Sequence, residues 1–315
     1  MDHLALVFPG QGTQHVGMGR DLYEEFGLVR DIFNRAEAIL GFDIARLCFE
    51  GPQEALDLTV NTQITILTLE VAIYSLFKEF ISATPRVMAG HSLGEYSAIY
   101  AAGAIGLNDL FFLVYARARY HQDAVPVGTG AMAVIIGLDH EEVRQMCREA
   151  REEHEVVEVS VLNAPKQTTL SGHIAAVERV MAAAKEKKGT SAIKLPISVP
   201  CHCRLLQTAA DLIAGDLARV DFRPFQIPVI PNCDPGSLYT QESARSLLQR
   251  QIISPVRWQE TIEKMASMGI ETILEIGPKK TLSGLIKKID KRIRVMEIGD
   301  LASLRKAQAT IDTSA

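Results

Sequence analysis

Ser92 sits at the centre of Gly90-His91-Ser92-Leu93-Gly94. A serine in a Gly-x-Ser-x-Gly run has the sequence form of a nucleophile at the tip of a sharp strand-to-helix turn. The flanking glycines let strand and helix pass closely. The hydroxyl then lies near a helix N-terminus, whose unpaired N–H groups favour a developing oxyanion. A lone five-residue match is often an ordinary turn serine. Here an apolar run at 86–90 precedes it and an Ala-rich apolar segment at 95–104 follows it, so the context is that of a nucleophile.

Such a serine needs a base, and the chain has eight histidines. His140, His154 and His173 lie in a charged segment, while His3 and His121 lie in strand and helix patterns. His15 follows a glycine loop, and His91 is oriented by the turn itself. His202 occupies a loop, Val199-Pro200-Cys201-His202, downstream of the serine, in the order expected for this class of turn. The pattern favours His202 as the base and leaves the others open. Cys201-His202-Cys203 invites a metal reading, but no second ligand cluster accompanies it, so no metal is expected.

Two further residues carry possible chemistry. Gln11, between Gly10 and Gly12 at the end of an apolar run, reads either as a solvated turn residue or as a backbone N–H donor to the elbow. Arg117 falls on one helix face with Leu110, Leu113 and Val114, whereas Arg119 points elsewhere. An inward guanidinium needs an anion. A core carboxylate and an incoming substrate are equally compatible with the pattern.

The elements that must position these groups follow from periodicity. Residues 3–8 read as a strand, 21–40 and 52–58 as helical, and 62–80 as a long buried helix. A helix over about 109–124 is expected to be capped by Asn108 or Asp109. Segment 128–195 reads strand-helix-strand-strand-helix-strand, a ferredoxin-like order. Beyond it, 209–220 and 240–253 read as helices, 225–230 as a strand, and 258–268 as a helix. A strand at 272–276, a basic helix from 279 and a strand at 293–298 close the pattern. The tail from 308 reads as frayed. The fold class expected is α/β, with an α/β-hydrolase-like core at 1–127 and 196–315 and an inserted ferredoxin-like subdomain at 128–195.

The 315 residues are 47% hydrophobic, ample for a large core. A net charge of −5 argues against a nucleic-acid partner. Five cysteines without framework spacing suit reduced thiols in a cytoplasm. Neither a signal peptide nor a membrane span is expected. Against the acidic whole, residues 279–294 hold seven basic side chains and one acid, Asp290. That is either a solvated face or a docking face for an acidic partner.

Six fragments together resemble one family. They are Phe8-Pro9-Gly10-Gln11-Gly12, Gly90-His91-Ser92-Leu93-Gly94-Glu95, Gly130-Ala131-Met132, Val199-Pro200-Cys201-His202-Cys203, Ser254-Pro255-Val256-Arg257-Trp258 and Glu275-Ile276-Gly277-Pro278. Their order and spacing over residues 3–298 are similar to those of malonyl-CoA:acyl carrier protein transacylases. The resemblance implies Ser92 as nucleophile and His202 as base, with Gln251 supplying the carbonyl that orients the histidine. It implies Gln11 and Leu93 as oxyanion-hole donors and Arg117 as the partner of the malonate carboxylate. Met132 and Asn163 would line the substrate pocket.

Malonyl-CoA and acyl carrier protein would be the partners of a monomeric enzyme of fatty acid biosynthesis that needs no cofactor. Cys201 departs from the serine common at that position in free-standing enzymes and leaves the strictness of malonyl selectivity open. The alternatives are a trans-acting acyltransferase of a polyketide pathway, an acyl-thioester hydrolase or esterase, and a non-catalytic carrier-binding scaffold.

Overall fold

The computed structural model describes residues 3–126, 128–197 and 199–312. Val127 and Ser198, in the segments read as joining the insertion to the core, lie outside them, as do residues 313–315 of the tail.

Among the described residues eight strands form two sheets. The first has order β2-β1-β7-β8, from β1 (Leu4–Phe8), β2 (Val87–Gly90), β7 (Thr272–Ile276) and β8 (Arg294–Ile298), paired in parallel throughout. The second has order β4-β5-β3-β6, from β3 (Gly130–Ile136), β4 (Val157–Ala164), β5 (Gln167–His173) and β6 (Ser191–Lys194), all antiparallel. Parallel sheets bury both faces, which explains why β1 and β2 read as unbroken apolar runs and are buried at every residue. The molecule is thus a mixed α/β protein. The antiparallel sheet is sewn to the rest at Val256, whose N–H donates to Ser160 and whose carbonyl accepts from Leu162.

The helix Thr59–Phe80 lies against Gly27–Leu40 and Leu107–Asp123. By length and composition it could cross a membrane, yet 83% of that window is buried inside the protein. This is the behaviour of a core helix.

Several boundaries differ from the sequence reading. The helical stretch 21–40 breaks at Phe26, whose extended backbone ends Arg20–Glu25 and starts Gly27–Leu40. Gly106, not Asn108 or Asp109, caps Leu107–Asp123, and Asn108 instead accepts hydrogen bonds from Arg35. Residues 225–230 do not form a strand. They make a single bridge from Val229 to Met88, because Pro224, Pro228 and Pro231 remove the donors a ladder needs. The tail is helical from Leu301 to Asp312 and buries Ala307 and Ile311.

Gly94 shows how tightly the elbow meets β1. A Cβ there would lie 2.0 Å from the Phe8 carbonyl oxygen, a backbone atom that cannot rotate away. Gly94→Ala should therefore destabilise the fold by about 2–3 kcal/mol or more, at the upper end of overpacking costs. Urea denaturation checks this. A loss below 1 kcal/mol would show that strand and helix can part.

Candidate active site

β2 runs into Ser92, and the helix Gly94–Ala101 leaves it. Ser92 has φ 54° and His202 has φ 61°. Both lie in the left-handed region, where a non-glycine residue costs about 1–3 kcal/mol and persists only when its surroundings hold it. The two strained residues face each other, with Ser92 Oγ 2.7 Å from His202 Nε2. On the far side of the ring, Nδ1 lies 2.9 Å from the Gln251 carbonyl oxygen. A carbonyl only accepts, so the proton sits on Nδ1 and the Nε2 lone pair points at the serine hydroxyl.

His202 is buried, and burial pushes its pKa down to about 3, helped by the nearby Arg117 charge and opposed by the Gln251 and Ser254 carbonyls. The ring is therefore a neutral base at physiological pH. His91, beside the nucleophile, is likewise held neutral by burial, its pKa lowered to about 4. It lies 3.4 Å from Asn163 Oδ1 and edge-on to Trp258. The elbow turns it away from Ser92 Oγ.

Arg117 is buried to 1% exposure. Its Nη1 donates to Gln63 Oε1 at 2.6 Å, while Nη2 donates to Gln251 Oε1 at 3.2 Å and to Ser92 Oγ at 3.3 Å. The guanidinium lies over the Tyr96 ring. Among the described residues no carboxylate pairs with it, and its buried Nε has no acceptor. The reading of Arg117 as half of a core ion pair therefore fails. Arg119, two residues on, is exposed as its helix position predicts.

The loop after β1 packs onto the elbow. A Cβ on Gly10 would meet the His91 carbonyl oxygen at 2.6 Å and the Leu93 nitrogen at 3.7 Å, which sets the Gln11 and Leu93 backbones side by side. No acceptor among the described residues bonds to either N–H. The Gln11 side chain reaches Thr59 and accepts from Gln63.

These groups open into a cavity of about 420 Å³ between the two sheets. Gln11, Ser92, Met132, Asn163, Cys201 and His202 line it, with Lys288 among the remaining wall residues. Cys201 is held as a thiol, its pKa pushed up to about 12 by burial. Its carbonyl accepts from Ser171 of β5, which ties the His202 loop to the antiparallel sheet.

Of the residues singled out in the sequence, Gln11, Ser92, Met132, Asn163 and His202 line this cavity, while Arg117 and Gln251 bond to Ser92 without lining it and Leu93 follows Ser92 in the elbow. Four others were not foreseen. Gln63 bridges Arg117 and Gln11. Asn232 accepts from the Ser92 N–H at 2.7 Å and donates to the Gly90 carbonyl. Glu95 and Tyr239 are hydrogen-bonded behind the elbow. Polar residues inside an otherwise apolar helix were the available signal for Gln63 and Glu95. Asn232 and Tyr239 lie in an aperiodic proline-rich stretch that offers none.

A serine held at a neutral histidine, two free backbone donors and a waiting cation define an acyl-transfer enzyme of the serine type. The comparisons agree. The chain matches the acyl transferase domain family over residues 5–307. It is 43% identical over 309 residues to a malonyl CoA-acyl carrier protein transacylase of Haemophilus influenzae, covering 98% of this chain and 99% of that one. The transacylase structure from Coxiella burnetii superposes with TM-score 0.94 at 40% identity, covering 98% and 97%. A malonyl-transacylase solved in complex with its type II polyketide acyl-carrier protein gives TM-score 0.94 at 41% identity, covering 98% and 99%. The chain belongs to the malonyl CoA-acyl carrier protein transacylases within the acyl transferase family.

With its folded pKa below the ordinary 6.5, His202 should take up no proton as pH falls from 8 to 5. Ring ¹⁵N shifts of histidine-labelled protein, assigned with a His202→Asn variant, measure this directly. A titration at or above 6.5 would contradict the neutral-base geometry.

Proposed function

We propose that this enzyme transfers a malonyl group from malonyl-CoA to the phosphopantetheine thiol of an acyl carrier protein, through malonyl-O-serine. The observation that carries the reading is Arg117, a buried fork without a carboxylate partner that contacts the Ser92 hydroxyl. A malonyl thioester brings the missing anion on the same small group that presents the carbonyl to the serine.

In the first half-reaction the Ser92 proton moves to His202 Nε2 and Oγ attacks the thioester carbonyl. The oxyanion is received by the Gln11 and Leu93 N–H groups. The C–S bond breaks, and the coenzyme thiolate leaves with the proton from His202. In the second half-reaction the carrier thiol gives its proton to His202 and its sulfur attacks the acyl-serine. Ser92 Oγ then leaves with that proton. The acyl-serine formed before the carrier thiol reacts makes the mechanism ping-pong, and the similar energies of the two thioesters make it reversible. Each proton is handled by His202, and the scheme calls for no further cofactor.

The same reading extends to architecture. The parallel sheet with its elbow supports an α/β-hydrolase-like core over 1–127 and 196–315. The 4-5-3-6 order of the antiparallel sheet supports a ferredoxin-like subdomain over 128–195. Met132 and Asn163 bring that subdomain to the substrate. A monomer in the cytoplasm, serving fatty acid biosynthesis, completes the proposal.

Much of the basic segment foreseen as a docking face is engaged within the chain. Lys280 pairs with Glu297, Lys287 binds the Ile293 carbonyl, and Arg292 pairs with Asp290. Lys288 lines the cavity and reaches Gln167 across it, which makes it the better candidate for the acidic carrier.

Ser92→Ala should abolish the single malonyl adduct that intact-mass spectrometry detects after malonyl-CoA, and an adduct that persists would reassign the nucleophile. Release of free malonate instead of transfer to carrier would favour the hydrolase reading.

Arg117→Ala should lower kcat/KM for malonyl-CoA by roughly two to four orders of magnitude. The basis is the cost of about 3–5 kcal/mol for removing one partner of a buried charge pair. Neutral acetyl-CoA should hold or improve. A parallel fall for both substrates would make Arg117 structural.

A further inference from the structure

We infer that Glu95 is a positioning residue for the Ser92–His202 pair, acting through Gln251 and Asn232. The inference rests on the acyl-transfer reading above and adds a residue to it. Glu95 lies on the first turn of the helix that leaves the elbow, is fully buried, and points away from the cavity into the core.

Its Oε1 accepts from the Tyr239 hydroxyl at 2.6 Å and from the Asn232 backbone N–H at 3.0 Å. Its Oε2 accepts from Gln251 Nε2 at 2.5 Å. Every neighbour is a donor, which is the environment of a carboxylate and not of a carboxylic acid.

Both amide residues so held then hold the reacting pair. The Asn232 side chain accepts from the Ser92 N–H. Gln251 Nε2 also donates to the Ser92 carbonyl at 2.8 Å, so both peptide groups flanking the strained serine are tied to this hub. The Gln251 backbone carbonyl orients His202, and its Oε1 meets Arg117. Glu95 fixes which way the Gln251 amide faces, because only the NH₂ end can meet a carboxylate. A neutral amide at position 95 removes that constraint. Once Gln251 can flip, the Ser92 carbonyl keeps only the Glu95 backbone N–H, at 3.2 Å, and Arg117 loses an acceptor.

Burial raises the Glu95 pKa to about 7, opposed by the bonds from Tyr239, Asn232 and Gln251 and by the Arg117 charge. The titratable groups facing it are Arg117, Tyr96, Tyr239 and Cys233. The folded carboxyl is ionised above that value and protonated below it. Protonation places an O–H among donors and loosens the same two amides.

The test is the rate at which Ser92 is labelled by an uncharged fluorophosphonate, which needs the serine and histidine but no malonate carboxylate. Glu95→Gln should fold and slow labelling by about 10- to 100-fold, the loss seen when the partner behind a metal-binding histidine is removed. In the native enzyme the rate should fall as pH drops through about 7, whereas Glu95→Gln should be slow and flat over the same range. The penalty of Glu95→Gln should also shrink in a Gln251→Ala background, since the two share one route. Tyr239→Phe removes only one donor and should slow labelling several-fold, which keeps the test available if Glu95→Gln does not fold.

Labelling of folded Glu95→Gln at the native rate would overturn the inference, as would an unchanged acid limb in that variant. Failure of native Ser92 to label at all would instead overturn the acyl-transfer reading.

Discussion

An arginine buried with no carboxylate in contact among the described residues is the constraint around which this site is arranged. Arg117 is surrounded by neutral acceptors, Gln63, Gln251 and Ser92, and by the face of Tyr96. These dipoles make the charge tolerable without neutralising it. The consequences spread outward. The same charge adds to burial in holding His202 and His121 neutral. A substrate carboxylate would cancel part of that field during acylation and make His202 a stronger base while it must accept the serine proton.

This electrostatics explains why the histidine leans on a carbonyl. A carboxylate at Nδ1, as in a serine triad, would favour the charged ring and raise its pKa. The Gln251 carbonyl fixes the tautomer without a charge. The buried carboxylate that the site does contain, Glu95, is already engaged by Tyr239, Asn232 and Gln251.

Much of this was legible in the chain, for identifiable reasons. Ser92 was legible because a nucleophile elbow needs glycine at Gly90 and Gly94, where backbone atoms would meet a Cβ at about 2 Å or less. Arg117 was legible because helical periodicity places it inward. The connectivity of the antiparallel sheet followed from alternating periods and charged helix faces. His202 was favoured but not settled by pattern, since a loop histidine carries no periodic signal and only the fold brings it to Ser92. The proline-rich stretch around Val229 misled for a related reason, because it has strand composition but lacks the donors for a ladder. Asn232 sits in that stretch, so the residue that ties down the Ser92 N–H was out of reach of any local rule. Its role exists only through contacts that span 140 residues of chain.

The two left-handed residues show what the distant contacts accomplish. Neither Ser92 nor His202 would keep its backbone unaided. Ser92 is held on its N–H side by Asn232 and on its carbonyl side by Gln251. His202 is held at its ring by the Gln251 carbonyl, and its loop by Ser171 of the antiparallel sheet. The parallel sheet thus leads into Ser92, the antiparallel sheet steadies the His202 loop, and Gln251 touches both. A shift between the two layers would lengthen the 2.7 Å bond between Ser92 and His202 before it disturbed either core. Val256, two residues before Trp258, which packs edge-on against His91, is bonded to β4 through both its N–H and its carbonyl and is the stitch that resists such a shift. The cavity lies at the same seam, lined by Ser92 and His202 together with Met132 and Asn163 of the antiparallel sheet, so one boundary both encloses it and sets the Ser92–His202 separation.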